Sequence, residues 1–247
     1  MNKLKITALA LAAVMSMSVV TACGSKKSSS AESSTAESIM AEGSTAESGS
    51  AEEQQEKKVN DWELESPSEG ANDYELGDYR TDPDTGIKLY YEEDQFPREL
   101  VLALENYFLT FEKNDLEAYK AANLPLYNEE WEKYLQKEYK YGLDKSFQTR
   151  CDSLKDAMEG TYKITRIKVE KSEQFPTEEE GVDDYLKWLG DIISNDKFPE
   201  QVKANCDSLR YMSFYVMAEN SKGEENMLVS EYNIIFAEKD GKYYTFG

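Results

Sequence analysis

The stretch PRELVLALENYFLTFEKNDLEAYKAA, residues 97–122, decides how the chain is read. Leu100, Val101, Leu104, Tyr107, Phe108 and Phe111 recur at i, i+1, i+4, i+7, i+8 and i+11, the spacing of a helix with one buried face. Pro97 suits the first turn, where the N–H it lacks would have no helical partner. Asn114-Asp115 ends that helix and caps a second one carrying Leu116, Tyr119 and Ala122, which Pro125 stops. The two helices therefore meet at an elbow.

Residues 130–141 and 145–158 again show helical spacing, with Trp131, Tyr134, Leu135 and Tyr139, then Phe147, Cys151, Leu154 and Met158, on their apolar sides. Gly142 and Gly160 punctuate them. After Gly160 the period becomes two. Tyr162, Ile164, Ile167 and Val169 alternate with charged residues as a half-buried strand containing one register irregularity. Residues 182–193 and 199–206 return to helix, and residues 211–218, 227–237 and 243–246 read as strands joined by turns at Lys222-Gly223 and Asp240-Gly241. Helices followed by consecutive strands predict an α+β domain over residues 96–247, its N-terminal helices packed on a curved antiparallel sheet.

Upstream of this domain the composition changes twice. Residues 59–95 are acidic but carry Trp62, Leu64, Tyr74, Leu76, Tyr79, Ile87, Leu89, Tyr90 and Tyr91, enough apolar surface to dock on something. Within them Thr81-Asp82-Pro83-Asp84-Thr85-Gly86 has the residues of a hairpin turn. Residues 23–58 are rich in Ser, Ala and Glu, and the unit Ser34-Thr35-Ala36-Glu37-Ser38 recurs at Ser44 to Ser48. Such a segment cannot bury enough surface to offset its ordering entropy, so it reads as a disordered tether with a mean reach of roughly 30 to 35 Å.

Residues 1–22 have the pattern of an export leader, with Lys3 and Lys5 preceding an apolar run from Ile6 to Val20 that is too short to span a bilayer comfortably. The run ends in Val20-Thr21-Ala22-Cys23-Gly24, which resembles the lipobox of bacterial lipoproteins, with Val20 where leucine is usual. The resemblance implies that Cys23 is lipidated and becomes the new N-terminus. The mature chain is then held through two acyl chains at the extracytoplasmic face of the cell membrane, because a single chain binds only reversibly.

Charge and composition narrow the function. The formal net charge is −21, and a leader with two lysines and no acid makes the mature chain more negative still. Nucleic acid is an unsuitable partner for it, and attachment to anionic lipid through a basic patch is excluded. The chain contains no histidine, which rules out imidazole-based triads and histidine-liganded zinc. Asp82, Asp84 and Glu93 occupy positions one, three and twelve of a calcium-loop frame, but its glycine falls at five and an oxygen ligand is missing there. Ser194-Asn195-Asp196-Lys197 is formally Ser-x-x-Lys, without the partner motifs that give that pattern meaning. No catalytic residue, metal ligand or cofactor motif is assigned on these grounds.

Cys151 and Cys206 each open a Cys-Asp-Ser-Leu stretch. In an extracytoplasmic protein they either close a disulfide or remain as two small buried thiols. The elbowed helices around Leu104-Glu105-Asn106-Tyr107-Phe108 and Asn114-Asp115-Leu116-Glu117-Ala118-Tyr119, with the closing Asp240-Gly241-Lys242-Tyr243-Tyr244, resemble NTF2-like domains of the cystatin superfamily. That resemblance implies a cone-shaped sheet around a pocket, used for catalysis in some members and only for binding in many. Three functions follow as expectations. One is a non-enzymatic binder of a small ligand, wall polymer or envelope protein. The others are a surface hydrolase using carboxylates alone and a structural or assembly factor of the cell envelope that displays residues 62–91.

Overall fold

The computed structural model describes residues 62–71 and 76–247. The expected leader, lipidation site at Cys23 and tether lie outside the described residues. Among the described residues six strands form one sheet in the order β1 to β6, and six helices accompany it. The strands are β1 (Arg80–Thr81), β2 (Lys88–Tyr90), β3 (Tyr162–Glu170), β4 (Ser208–Asn220), β5 (Glu225–Lys239) and β6 (Lys242–Tyr244). The helices are α1 (Arg98–Lys113), α2 (Leu116–Ala122), α3 (Pro125–Tyr139), α4 (Leu143–Ala157), α5 (Glu178–Ile193) and α6 (Phe198–Asn205).

The apolar stripe read from the sequence is the buried face of α1: Leu100, Val101, Leu104, Tyr107, Phe108 and Phe111 are all buried. The helix lies against β3 and β6 on one side and against α2 and α4 on the other. The elbow forms as its residues dictate. Asn114 closes α1 in the left-handed conformation, and the Asp115 carboxylate accepts from the Ala118 N–H at 2.9 Å to start α2.

Pro125 does more than end α2. It sits at the first turn of α3, so that helix begins five residues before the expected position at Glu130. Helix α5 likewise starts earlier, at Glu178, where Thr177 accepts from the Glu180 N–H and three glutamates meet the positive end of the helix dipole. A count of apolar positions misses both extensions because these first turns are polar or carry proline.

The architecture is α+β, but the sheet is mixed rather than antiparallel throughout. β2 pairs with β3 in parallel, Leu89 opposite Ile167, while every other neighbouring pair is antiparallel. The reason is topological. β2 precedes α1 to α4, and a crossover of that length returns the chain beside β2 in the same direction. The expected irregularity in β3 falls between Ile164 and Arg166, and β4 pairs irregularly with β5 around Val216. Bulges sharpen strand twist, and the sheet curls into a half-barrel.

The described residues 62–71 and 76–95 belong to the same compact unit as the helices and sheet. The Trp62 indole donates to the Tyr91 hydroxyl at 2.9 Å, and the Arg98 guanidinium lies 3.9 Å from the centre of the Trp62 ring. The expected hairpin is β1–β2. In its turn the Asp82 carboxylate accepts from the Asp84 N–H, and the Gly86 N–H donates to the Asp82 carbonyl. Gly86 supplies the positive φ that this turn requires.

Helix α5 approaches β4 so closely that a Cβ on Gly181 would lie 2.4 Å from the Tyr211 ring. Gly181→Ala is expected to destabilise the domain by about 1–3 kcal/mol despite alanine's better helix propensity. Urea unfolding followed by tyrosine and tryptophan fluorescence measures this, and an unchanged or raised midpoint contradicts the close packing.

Candidate functional site

Helix α4 carries a charged residue on its apolar side. Arg150 lies one turn from Phe147 and Leu154 and next to Cys151, all three buried, so its side chain is carried into the interior with them. Its Nη1 donates to the Tyr119 hydroxyl on α2 at 3.3 Å, a long bond. Tyr107 of α1, Tyr127 of α3, Tyr185 of α5 and Tyr232 of β5 also surround the guanidinium closely enough to interact with it electrostatically. Five helices and the longest strand thus contribute one polar side chain each to a single place.

Aromatic packing holds these groups. The Tyr107 and Tyr119 rings lie 6.0 Å apart, Phe111 touches both, and Phe147 packs on Tyr119 at 4.8 Å. Tyr127 stacks on Trp131, Tyr232 meets Phe214, and Tyr185 meets Trp188. Tyr107, Tyr119 and Tyr127 are buried, whereas Arg150, Tyr185 and Tyr232 are half-buried.

Burial raises the phenol pKa values of Tyr107, Tyr127, Tyr185 and Tyr232, so these groups are neutral hydroxyls at physiological pH. For Arg150, burial works against the charge while the surrounding phenol oxygens favour it, and the balance leaves the guanidinium protonated. Among the described residues no carboxylate forms an ion pair with it. The arrangement is a cation and several hydroxyl groups without a base or nucleophile, which suits binding rather than proton transfer.

A surface groove of about 620 Å³ lies beside the β1–β2 hairpin and the end of β3, lined by Arg80, Tyr91, Glu93, Phe96, Lys168 and Glu170 among others. A smaller cavity of about 470 Å³ shares Glu170 and Lys171 with it and extends over Tyr215 and Glu231. Arg80 pairs with Glu93 at 2.7 Å and Lys168 with Glu170 at 2.8 Å. Two of the cations lining the groove, Arg80 and Lys168, are therefore already paired.

Two carboxyl groups meet beneath the hairpin turn. Glu105 of α1 is 1% exposed and accepts from the Thr85 hydroxyl at 2.5 Å, with Asp82 beside it. Burial, reinforced by Asp82, raises its pKa to about 8, so it is protonated at neutral pH. The pair lines neither cavity and instead seats the turn on α1. Glu93, the third member of the calcium-loop frame, is paired with Arg80, and among the described residues no three potential metal ligands converge.

Cys151 and Cys206 are not joined to each other in the structure, and Cys151 is buried while Cys206 is half-buried. Cys151 is buried on α4, where burial pushes its pKa up to about 11. The Cys206 thiol donates to the Val202 carbonyl at the end of α6. Neither thiol has the lowered pKa of a reactive cysteine.

Sequence reasoning placed Tyr107 and Tyr119 in the core but singled out neither Arg150 nor Tyr127, Tyr185 and Tyr232. The one signal was the position of Arg150 on the Phe147–Cys151–Leu154 stripe. Comparison with known proteins adds no family: no family model matches the chain, and neither a curated protein nor a solved structure matches it.

Glu105 generates a pH dependence whose sign is determined. Its folded pKa of about 8 lies above the ordinary value of 4.5, so its contribution to stability is complete below about pH 4.5 and is lost as pH rises to about 8. The slope approaches at most about 1.4 kcal/mol per pH unit. Unfolding midpoints measured at pH 5 and pH 8 are expected to differ less in Glu105→Gln than in the parent chain. Equal differences contradict a protonated Glu105.

Proposed function

We propose that this chain is an extracytoplasmic lipoprotein, anchored through a diacylated Cys23, whose domain binds a small ligand in an NTF2-like cone and has no catalytic role. The observation that carries the binding reading is the Arg150 cluster, where a half-buried cation and neutral phenols converge without a general base or a nucleophile. The location rests on Val20-Thr21-Ala22-Cys23-Gly24, on the apolar run before it and on the acidic tether after it.

The cone reading has several supports. The elbowed helices α1 and α2, the curled sheet with bulges in its long strands, and the closing Asp240-Gly241-Lys242-Tyr243-Tyr244 all agree with it. The parallel β2–β3 pair and the four helices before β3 are departures, and they make this a large and modified form of that plan. Among the described residues no helix is long and apolar enough to cross a membrane, so the anchor in this reading is the acyl group alone.

Two alternatives draw less support. A carboxylate-only hydrolase needs two free acids converging in an accessible pocket, whereas Glu105 and Asp82 are engaged beneath the hairpin turn and, in the groove, Glu93 and Glu170 are paired with Arg80 and Lys168. A factor that displays residues 62–91 needs those aromatic side chains free, whereas Trp62 and Tyr91 bond to each other and Tyr79, Ile87, Leu89 and Tyr90 are buried.

Fractionation of producing bacteria tests the anchor. The parent chain is expected in the membrane fraction with a diacylglyceryl group on Cys23, detected by mass spectrometry of the N-terminal peptide. Cys23→Ser is expected in the soluble extracytoplasmic fraction or as uncleaved precursor. Recovery of the parent with its leader intact, or with an unmodified Cys23, overturns this location.

A further inference from the structure

The smaller cavity, on the β4–β5 ladder, is built from a different set of side chains. Successive residues of a strand face opposite ways, so Ser213 points away from Phe214, which packs on Phe108 of α1. Ser213 lines this cavity and is only 4% exposed, and among the described residues its hydroxyl has no hydrogen-bond partner. Buried hydroxyls nearly always have one. Opposite it in the ladder Asn233 donates through Nδ2 to Gln174 at 2.6 Å, while its Oδ1 is buried without a partner. Gln174 also accepts from the Tyr211 hydroxyl, and these two bonds pin the loop after β3 whose Lys171 and Glu173 line the cavity.

Three carboxylates line the same cavity, those of Glu170, Glu173 and Glu231, against one cation, the exposed Lys171. Glu170 is paired with Lys168, whereas among the described residues Glu173 and Glu231 have no ion pair or hydrogen bond. The irregular pairing of β4 with β5 aims Glu231. Phe214 pairs with Tyr232 and Val216 with Val229, so Tyr215 faces both Ser230 and Glu231, and Glu231 takes a positive φ of 33°. Burial, with Glu170 and Glu231 beside it, pushes the Tyr215 phenol up to about 12, so its ring is neutral.

This set is rich in acceptors: two free carboxylates, the Ser213 Oγ and an aromatic face. The complement is a group that only donates and carries positive charge, and an ammonium has three donors and no acceptor. The Lys168 ammonium already lies 5.7 Å from the centre of the Tyr215 ring, so the ring face suits such a group. Glu173 and Glu231 are both exposed, and neither has the dry surroundings that set a general acid apart. The larger groove adjoins through Glu170 and Lys171 and adds Leu64, Tyr91 and Phe96, which gives room for an apolar body.

We propose that the cavity lined by Glu173, Ser213, Tyr215 and Glu231 binds a small organic amine, its ammonium held by the two carboxylates with the Ser213 hydroxyl accepting beneath it. The site shares no residue with the Arg150 cluster, so its failure leaves the reading of that cluster as it stands.

Calorimetric titration of the full chain with phenethylamine, 1,5-diaminopentane and the neutral 2-phenylethanol tests it. At least one amine is expected to bind, and 2-phenylethanol to bind roughly tenfold more weakly or not at all, as for loss of a hydrogen-bonded charge. Glu231→Gln is expected to lose roughly tenfold in amine affinity, and Glu219→Gln, which removes an exposed carboxylate farther along β4, to bind as the parent does. Ser213→Ala is expected to bind a few-fold more weakly and to melt at the same or a higher temperature, because the hydroxyl it removes bonds to nothing in the fold.

Equal binding of phenethylamine and 2-phenylethanol, or binding by neither amine, overturns the assignment. Equal losses in Glu219→Gln and Glu231→Gln also overturn it, since the attraction is then that of the whole acidic chain. A clear fall in the melting temperature of Ser213→Ala makes that hydroxyl structural and overturns the site. The comparison of phenethylamine with 2-phenylethanol on the parent chain decides the question even where a variant fails to fold.

Discussion

Everything in this domain is arranged around the burial of one helix face. Leu100, Val101, Leu104, Phe108 and Phe111 leave water together only if α1 lies along the curled sheet, and burial of each such side chain contributes about 1.5–3 kcal/mol before entropy is counted. With α1 in place the other contacts have little freedom. Glu105 is brought under the β1–β2 turn, and Tyr107 is turned toward the helices that cover α1. The elbow at Asn114-Asp115 returns the chain across the same core, so that Tyr119 and Phe147 pack where α1 ends.

The interior so formed treats charge of the two signs differently. An acid that must be buried, Glu105, is neutralised by its surroundings, so its burial costs little at neutral pH. The half-buried base has no such outlet, since a guanidinium does not release its proton in a protein, and Arg150 stays charged among neutral hydroxyls.

The hairpin links the sheet to the helices in another way. Its two short strands bury little by themselves, and a two-stranded ribbon is marginal in water. They are held by pairing with β3, by the Asp82, Thr85 and Glu105 contacts, and by Trp62 closing over Tyr91 and Arg98. The same segment forms one wall of the surface groove, where Arg80 pairs with Glu93 and Lys168 with Glu170.

What the sequence by itself determined is what depends on near neighbours in the chain. The 3.6-residue repeat of residues 100–111, the Asn114-Asp115 break, the alternation of β3 with its irregularity and the positive-φ turn at Asp240-Gly241 are all local preferences, and all appear in the structure. The polar first turn of α5 and the proline start of α3 were less legible, because capping leaves a weaker mark than hydrophobic spacing. Only the tertiary structure decided the parallel pairing of β2 with β3, since three residues are too few to carry a pattern and their partner lies more than seventy positions away. It alone decided the Arg150 site. Residues between 107 and 232 meet there because helices and strands separated in the chain bury their apolar faces on one another, and nothing in the local spacing of a tyrosine records which cation it will face.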